Sequence, residues 1–215
     1  MEKKVGLLKL GGINVKIVED DVTCELVDCI VVPEFNNCAS YGGVGGACAR
    51  RGLGKGLEVY DKRAQQKPFA FGDAFLTESG RDNLFLGHVV TVGAPAEEQF
   101  EAVFKSVYNI IGDCNQRPYA TIRRIAIPEL GTGIIGSLTQ EQSARAIIGA
   151  IDAFSRVCGA TIVDEVVLCV YKASTAPAEK VLADGSFRDC KFEVGQKTFD
   201  PVAWLHEMGL EFSKA

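Results

Sequence analysis

The stretch Ile125-Ala126-Ile127-Pro128-Glu129-Leu130-Gly131-Thr132-Gly133-Ile134-Ile135-Gly136 decides the fold. Its first part is a short apolar run rich in Ile and reads as a buried strand. The glycines Gly131, Gly133 and Gly136 then mark a loop whose backbone comes close to something. Beyond the loop, Thr139 followed three residues later by Gln142 is a capping box that opens a helix. Strand, glycine loop, helix: this order aims backbone N–H groups and the positive end of a helix dipole at the top of the strand. Such a place suits a phosphate. A tight turn that merely joins two elements needs one glycine, so three favour an anion loop.

The same order recurs upstream. Cys29-Ile30-Val31-Val32 reads as a buried strand ended by Pro33, and Gly42-Gly43-Val44-Gly45-Gly46 leads into a helix of small residues. Residues 53–66 continue as helix, interrupted by Gly54 and Gly56. Residues 5–10 and 14–18 flank Gly11-Gly12, a hairpin signal. Further strands are expected at 74–77, 84–92, 122–127 and 165–171. Helices are expected at 96–114, with Phe100, Val103, Phe104, Val107, Ile110 and Ile111 on one face, and at 139–158, with Ala144, Ile147, Ile148, Ile151 and Phe154 inward. Alternating strands and helices imply an α/β fold, a three-layer α/β/α sandwich. Its sheet is mostly parallel and made mixed by the leading hairpin. Ligands of such sheets bind outside the carboxyl ends of the strands, where both glycine clusters fall. The pattern weakens after Tyr171. Short helices are expected near 177–182 and 201–212, the second packing Trp204, Leu205, Met208 and Leu210 on the core. The expected organisation is one domain over 1–172 with an extension over 173–215 packed on it.

Composition narrows the classes. With 47% hydrophobic and 24% charged residues, the 215-residue chain is an ordinary soluble globular protein with a sizeable core. Its 23 Lys+Arg against 28 Asp+Glu include no basic block, which argues against duplex nucleic acid as a partner. No apolar run reaches membrane-spanning length and no signal peptide is recognisable, so neither a membrane nor export is expected. The eight cysteines lack metal-like spacing. Cys29, Cys158 and Cys169 fall in apolar elements, as reduced thiols of a cytoplasmic protein would. No metal and no cofactor is expected. His88 reads as a packed strand residue, His206 as solvent-facing, and Glu129 as a structural group holding loop N–H groups. Arg50 and Arg51 read as a solvated helix face from which a phosphate is within reach.

Six pieces in order then resemble the macro domain family, whose members bind ADP-ribose: Asp21-Val22-Thr23; Val27-Asp28-Cys29-Ile30-Val31; Gly42-Gly43-Val44-Gly45-Gly46-Ala47; Gly72-Asp73-Ala74; Val90-Thr91-Val92-Gly93; and residues 127–136 of the opening stretch. They cover about residues 14–172, and the last is the most specific. The resemblance implies that Asp21, next to Val22, accepts from the adenine amine. It implies that Gly43, Val44, Gly45 and Gly46 wrap the diphosphate and distal ribose. Gly131, Thr132, Gly133, Ile134, Ile135 and Gly136 would cradle the diphosphate from the other side, and Tyr171 would stand against adenine. Neutral N–H groups must then hold the diphosphate, because neither loop contains a Lys or Arg.

The departures bear on catalysis. Where active hydrolases of the family carry Asn-Ala-Ala-Asn, this chain has Val32-Pro33-Glu34-Phe35. Phe35 stands in the place of the asparagine that contacts the distal ribose, with Asn36 one place late. A one-residue bulge would bring in Asn36 or Asn37, which with Gly45 are the candidate catalytic positions. Tyr41 replaces a glycine and Ile135 an aromatic residue of the family pattern. Three functions stay open: a binder of ADP-ribose or ADP-ribosylated protein with weak or no hydrolysis; an active ADP-ribosyl-acceptor hydrolase or O-acetyl-ADP-ribose deacetylase; and a non-enzymatic module for another nucleotide or a protein.

Overall fold

The apolar runs pair into one seven-stranded sheet in the computed structural model of the chain, which describes residues 6–188, 191–194 and 197–211. In chain order the strands are β1 (Gly6–Leu10), β2 (Ile13–Glu19), β3 (Cys29–Phe35), β4 (Ala74–Glu78), β5 (Phe85–Val92), β6 (Arg124–Pro128) and β7 (Glu165–Val170). The sheet order is β1-β2-β7-β6-β3-β5-β4. The five inner strands are parallel, and the hairpin strand β1 is antiparallel as expected. A second antiparallel edge, β4 on β5, was not visible in the sequence. The helices are α1 (Gly43–Arg50), α2 (Gly54–Gln66), α3 (Gln99–Cys114), α4 (Gln140–Cys158), α5 (Ala176–Asp184) and α6 (Pro201–Glu207).

Alternation along each inner strand separates two cores. Cys29 and Val31 of β3 and Ile125 and Ile127 of β6 face α3 and α4, whereas Ile30, Val32 and Ala126 face α1 and α2. Both faces are therefore buried and the three-layer sandwich is present. The predicted inward residues of α3 and α4 are all buried. Thr139 and Gln142 form the capping box: the Thr139 hydroxyl accepts from the Gln142 N–H, and the Gln142 side chain accepts from the Thr139 N–H at 2.8 Å.

Several expectations need correction. Pro33 does not end β3, which continues to Phe35. The β3–β6 ladder is recorded only at Cys29 and Ile30, so Pro33 has a partner on one side only and loses no bond there. Gly54 starts α2 rather than interrupting it, and buried Gly56 gives α2 room: a Cβ there would stand 2.6 Å from Thr77 Oγ1. α6 ends at Glu207, Met208 is exposed rather than packed, and Phe212 lies outside the described residues. Cys158 is exposed, while Cys29 and Cys169 are buried and Cys190 lies outside the described residues.

After β7 the chain covers the outer side of α3 and α4. Phe187 and Leu205 are buried. A short hairpin, β8 (Phe192–Val194) and β9 (Lys197–Phe199), stacks Phe192 on Phe100 at 4.2 Å between ring centroids. Trp204 of α6 meets Tyr108 edge-on at 5.2 Å. Among the described residues, no helix is long and apolar enough to cross a membrane, and no cluster of side chains could hold a metal ion.

Candidate functional site

β3 and β6 part beyond Ile30 and Ala126. β3 leads to α1 on one face of the sheet and β6 to α4 on the other. Connections leaving to opposite faces from neighbouring strands open a crevice at the carboxyl end of the sheet. A cavity of about 300 Å³ lies there. Asp20, Asp21 and Val22 line it from the end of β2, Gly43, Val44, Ala47 and Arg50 from α1, Pro128 from β6, and Cys169 and Tyr171 from β7. Four segments thus converge on one space. A larger cavity, about 400 Å³, lies beside α3, where Glu97, Glu98 and Glu101 outnumber Lys197 and leave a net negative lining.

The sequence fixes each wall. Asp21 caps a 3-10 turn, Val22–Cys24, its Oδ1 accepting from the Thr23 N–H at 2.9 Å and the Thr23 hydroxyl at 2.7 Å. That turn is latched to the end of α1 by Arg51, which donates to Thr23 O at 3.2 Å and to Cys24 Sγ at 2.9 Å. Arg51 is therefore exposed, as expected, and also ties the turn to the helix. The other end of α1 has Gly42 as its N-cap with no side-chain cap, so its first N–H groups are available to a ligand. Gly45 and Gly46 lie inside α1 and are buried: a Cβ on Gly45 would sit 1.7 Å from Ser40 O, and one on Gly46 2.4 Å from Tyr41 O. Their bareness lets the preceding loop run against the helix.

The loop at 131–136 begins just past Pro128, outside the lining of the cavity. It is closed by Gly136 N–H donating to Gly133 O at 2.8 Å and Leu138 N–H donating to Gly131 O at 3.0 Å. It is anchored to α4 by Leu130 N–H on Ser143 Oγ at 3.0 Å. The N–H groups of Gly131, Thr132, Gly133, Ile134 and Ile135 have no acceptor among the described residues. Glu129 does not hold this loop; it accepts from Gln140 Nε2 at 3.1 Å, and burial raises its carboxyl above the usual range.

Glu34 escaped the sequence reading. It is fully buried at the end of β3, its Oε2 accepting from Ser40 N–H and its Oε1 2.8 Å from His88 Nδ1. His88 Nε2 lies 2.8 Å from Thr77 Oγ1. Burial pushes Glu34 up to about 8 and holds His88 down at about 3. Near neutrality both are uncharged, and the chain of bonds is satisfied if Glu34 donates to His88 and His88 to Thr77. The consequence for stability follows from proton counts. Glu34, raised from 4.5, stabilises fully below that value and loses the contribution as pH rises through about 8. His88, lowered from 6.5, contributes above that value and loses it as pH falls towards 3. Urea unfolding of the parent between pH 6.5 and 8 should show stability falling by up to about 1.4 kcal/mol per pH unit. Glu34→Gln should flatten that slope; an unchanged slope would assign it to other groups.

No protein-family model matches the chain. Over 168 residues, 75% of the chain, it is 28% identical to an uncharacterized protein of Thermotoga maritima, of whose length the match covers 27%. Among solved structures, the Oceanobacillus iheyensis macrodomain with ADP superposes with a TM-score of 0.70 at 17% identity, over 87% of this chain and 100% of that one. The Trypanosoma brucei macrodomain in complex with ADP-ribose gives 0.63 at 20% identity, over 78% of this chain and 68% of that one. The chain has the macrodomain fold.

On this macrodomain frame, Asp21, Val22, Gly43, Val44 and Tyr171 share the cavity. Phe35, Asn36 and Asn37 stand at the end of β3 outside its lining, and Tyr60 Oη donates to Phe35 O at 2.6 Å. The β3–β5 register does shift there, Glu34 facing Val90 and Phe35 facing Val92. The extra residue is Thr91 on β5, so β3 itself gains no place and Asn36 remains one position past Phe35. Asp20, Pro128 and Cys169 were missed as lining residues; so was Ala47, which joins Arg50, the residue read as having a phosphate within reach. With Gly43, Ala47 and Arg50 follow an i, i+4, i+7 spacing, which puts them on one helix face.

Proposed function

We propose that this chain binds ADP-ribose, free or attached to a protein, and cleaves the bond between ADP-ribose and its acceptor slowly or not at all. The observation that carries this reading is the single cavity joining the Asp21 carboxylate, the Tyr171 ring and the uncapped start of α1. Thr23 fixes Asp21 through Oδ1, leaving the other oxygen for the exocyclic amine of adenine. Val22, Val44, Pro128 and Tyr171 supply apolar walls for the base. The N–H groups at Gly43 and Val44 and those at 131–135 then take the diphosphate, which neutral donors hold through charge-assisted bonds. Solved structures of the same fold include one with ADP and one in complex with ADP-ribose, which supports a ligand of this class. Calorimetric titration should show ADP-ribose binding far more tightly than AMP, because only ADP-ribose engages both sets of N–H groups. Equal affinities would remove the diphosphate site.

Weak turnover follows from Phe35. An aromatic ring cannot hydrogen-bond the distal ribose hydroxyls or order an attacking water. Hydrolysis of ADP-ribosyl-glutamate should therefore be absent or slow, and Phe35→Asn should raise it, since misplacing a single group costs about 10²-fold. A gel assay of the modified substrate decides the point. Fast release by the parent chain would replace this reading with that of an active hydrolase using Asn36 or Asn37.

A further inference from the structure

Among the described residues, Arg50 is the one cationic side chain lining the cavity, where it stands with the carboxylates of Asp20 and Asp21. It closes the last turn of α1, two helical turns from Gly43. A helical side chain leans back toward the N-terminus of its helix. Here nothing blocks the lean, because the residue one turn earlier is Gly46. The Arg50 guanidinium occupies that gap: a Cβ on Gly46 would lie 3.3 Å from Nη1. Its charge is thereby carried from the tail of α1 toward the head, along the face that holds Ala47, Val44 and Gly43. Arg50 is exposed and makes no ion pair among the described residues, whereas its neighbour Arg51 is committed to Thr23 and Cys24.

We propose that Arg50 is a specificity-determining residue of the cleft, which recognises the phosphate nearest the adenosine and so selects nucleotides over nucleosides. The proposal rests on the ADP-ribose reading only for the orientation of the ligand. Asp21 fixes the base end of the cavity and the start of α1 the phosphate end. A guanidinium lying between them meets the first phosphate after the ribose. It also offsets the two carboxylates, which would otherwise repel any phosphate entering the cleft. A planar guanidinium offers paired donors that an ammonium lacks.

The test is titration of ADP-ribose, ADP and adenosine into the parent, Arg50→Gln and Arg50→Lys at two salt concentrations. Arg50→Gln should weaken ADP-ribose and ADP by about tenfold or more. It should leave adenosine unchanged and make phosphate-ligand affinity less sensitive to salt. Arg50→Lys should restore the salt sensitivity but only part of the affinity. Parental affinity and salt sensitivity in Arg50→Gln would overturn the proposal, as would an equal loss for adenosine, which would place Arg50 on the base. A parent that binds ADP but not ADP-ribose, with ADP weakened in Arg50→Gln, would refute the ADP-ribose reading and leave the Arg50 assignment standing. A parent that binds none of the three ligands would overturn both.

Discussion

Gly133→Glu should lower the affinity for ADP-ribose by about 100-fold or more while leaving the protein folded. Gly133 is exposed, its backbone is not left-handed, and a Cβ there meets nothing within 4 Å. A glutamate is therefore accommodated without strain, and the melting temperature should stay within about 2 °C of the parent. The N–H groups around it, from Gly131 to Ile135, have no acceptor among the described residues and are the donors assigned to the diphosphate. A carboxylate among them brings like charges to about 4 Å, a repulsion near 4 kcal/mol at the effective dielectric of a protein surface. Gly133→Gln separates the contributions: bulk without charge should cost less than half as much. Parental affinity in Gly133→Glu would mean that the phosphates lie elsewhere.

The contrast between the two glycine clusters marks how far the sequence could be read. Apolar periodicity gave the inner strands and the long helices, because every buried face repeats along its own element. The start of α4 was legible for a local reason, since Thr139 and Gln142 are three residues apart. The position of Pro33 was not legible, because whether a proline is tolerated depends on where β6 leaves β3. Glu34 and His88 are 54 positions apart and each looks misplaced alone; only their 2.8 Å contact explains either. Arg50 was obscured by its doublet with Arg51, although its i+7 spacing from Gly43 was in plain view. The glycines of both clusters looked alike, yet Gly133 faces open space while Gly45 is packed against backbone. Sequence shows where a side chain is missing but not what stands in the gap.

Gly45→Ala should accordingly act in the opposite way to Gly133→Glu, destabilising the whole fold. The new methyl would lie 1.7 Å from Ser40 O and 3.5 Å from Val32 Cγ1. Flexible side chains can retreat from such a clash, but a peptide oxygen moves only with its chain. Ser40 is held from its other side as well, its N–H donating to buried Glu34. Glu34 is in turn fixed by His88, and His88 by Thr77. Relief therefore requires either breaking the Glu34–Ser40 bond, which leaves a buried carboxyl oxygen unsatisfied, or lifting α1 off β3. Overpacking of this kind costs about 1–3 kcal/mol, and the loss of a buried bond adds about 1–3 more. The melting temperature should fall by about 6 °C or more. Ligand binding should weaken along with it, because the segment that must shift leads directly into Gly42 and Gly43, the uncapped start of α1. Thermal unfolding with and without saturating ADP-ribose reads both effects in one experiment. A parental melting temperature in Gly45→Ala would show that the Ser40 segment yields freely and that Glu34 does not hold it.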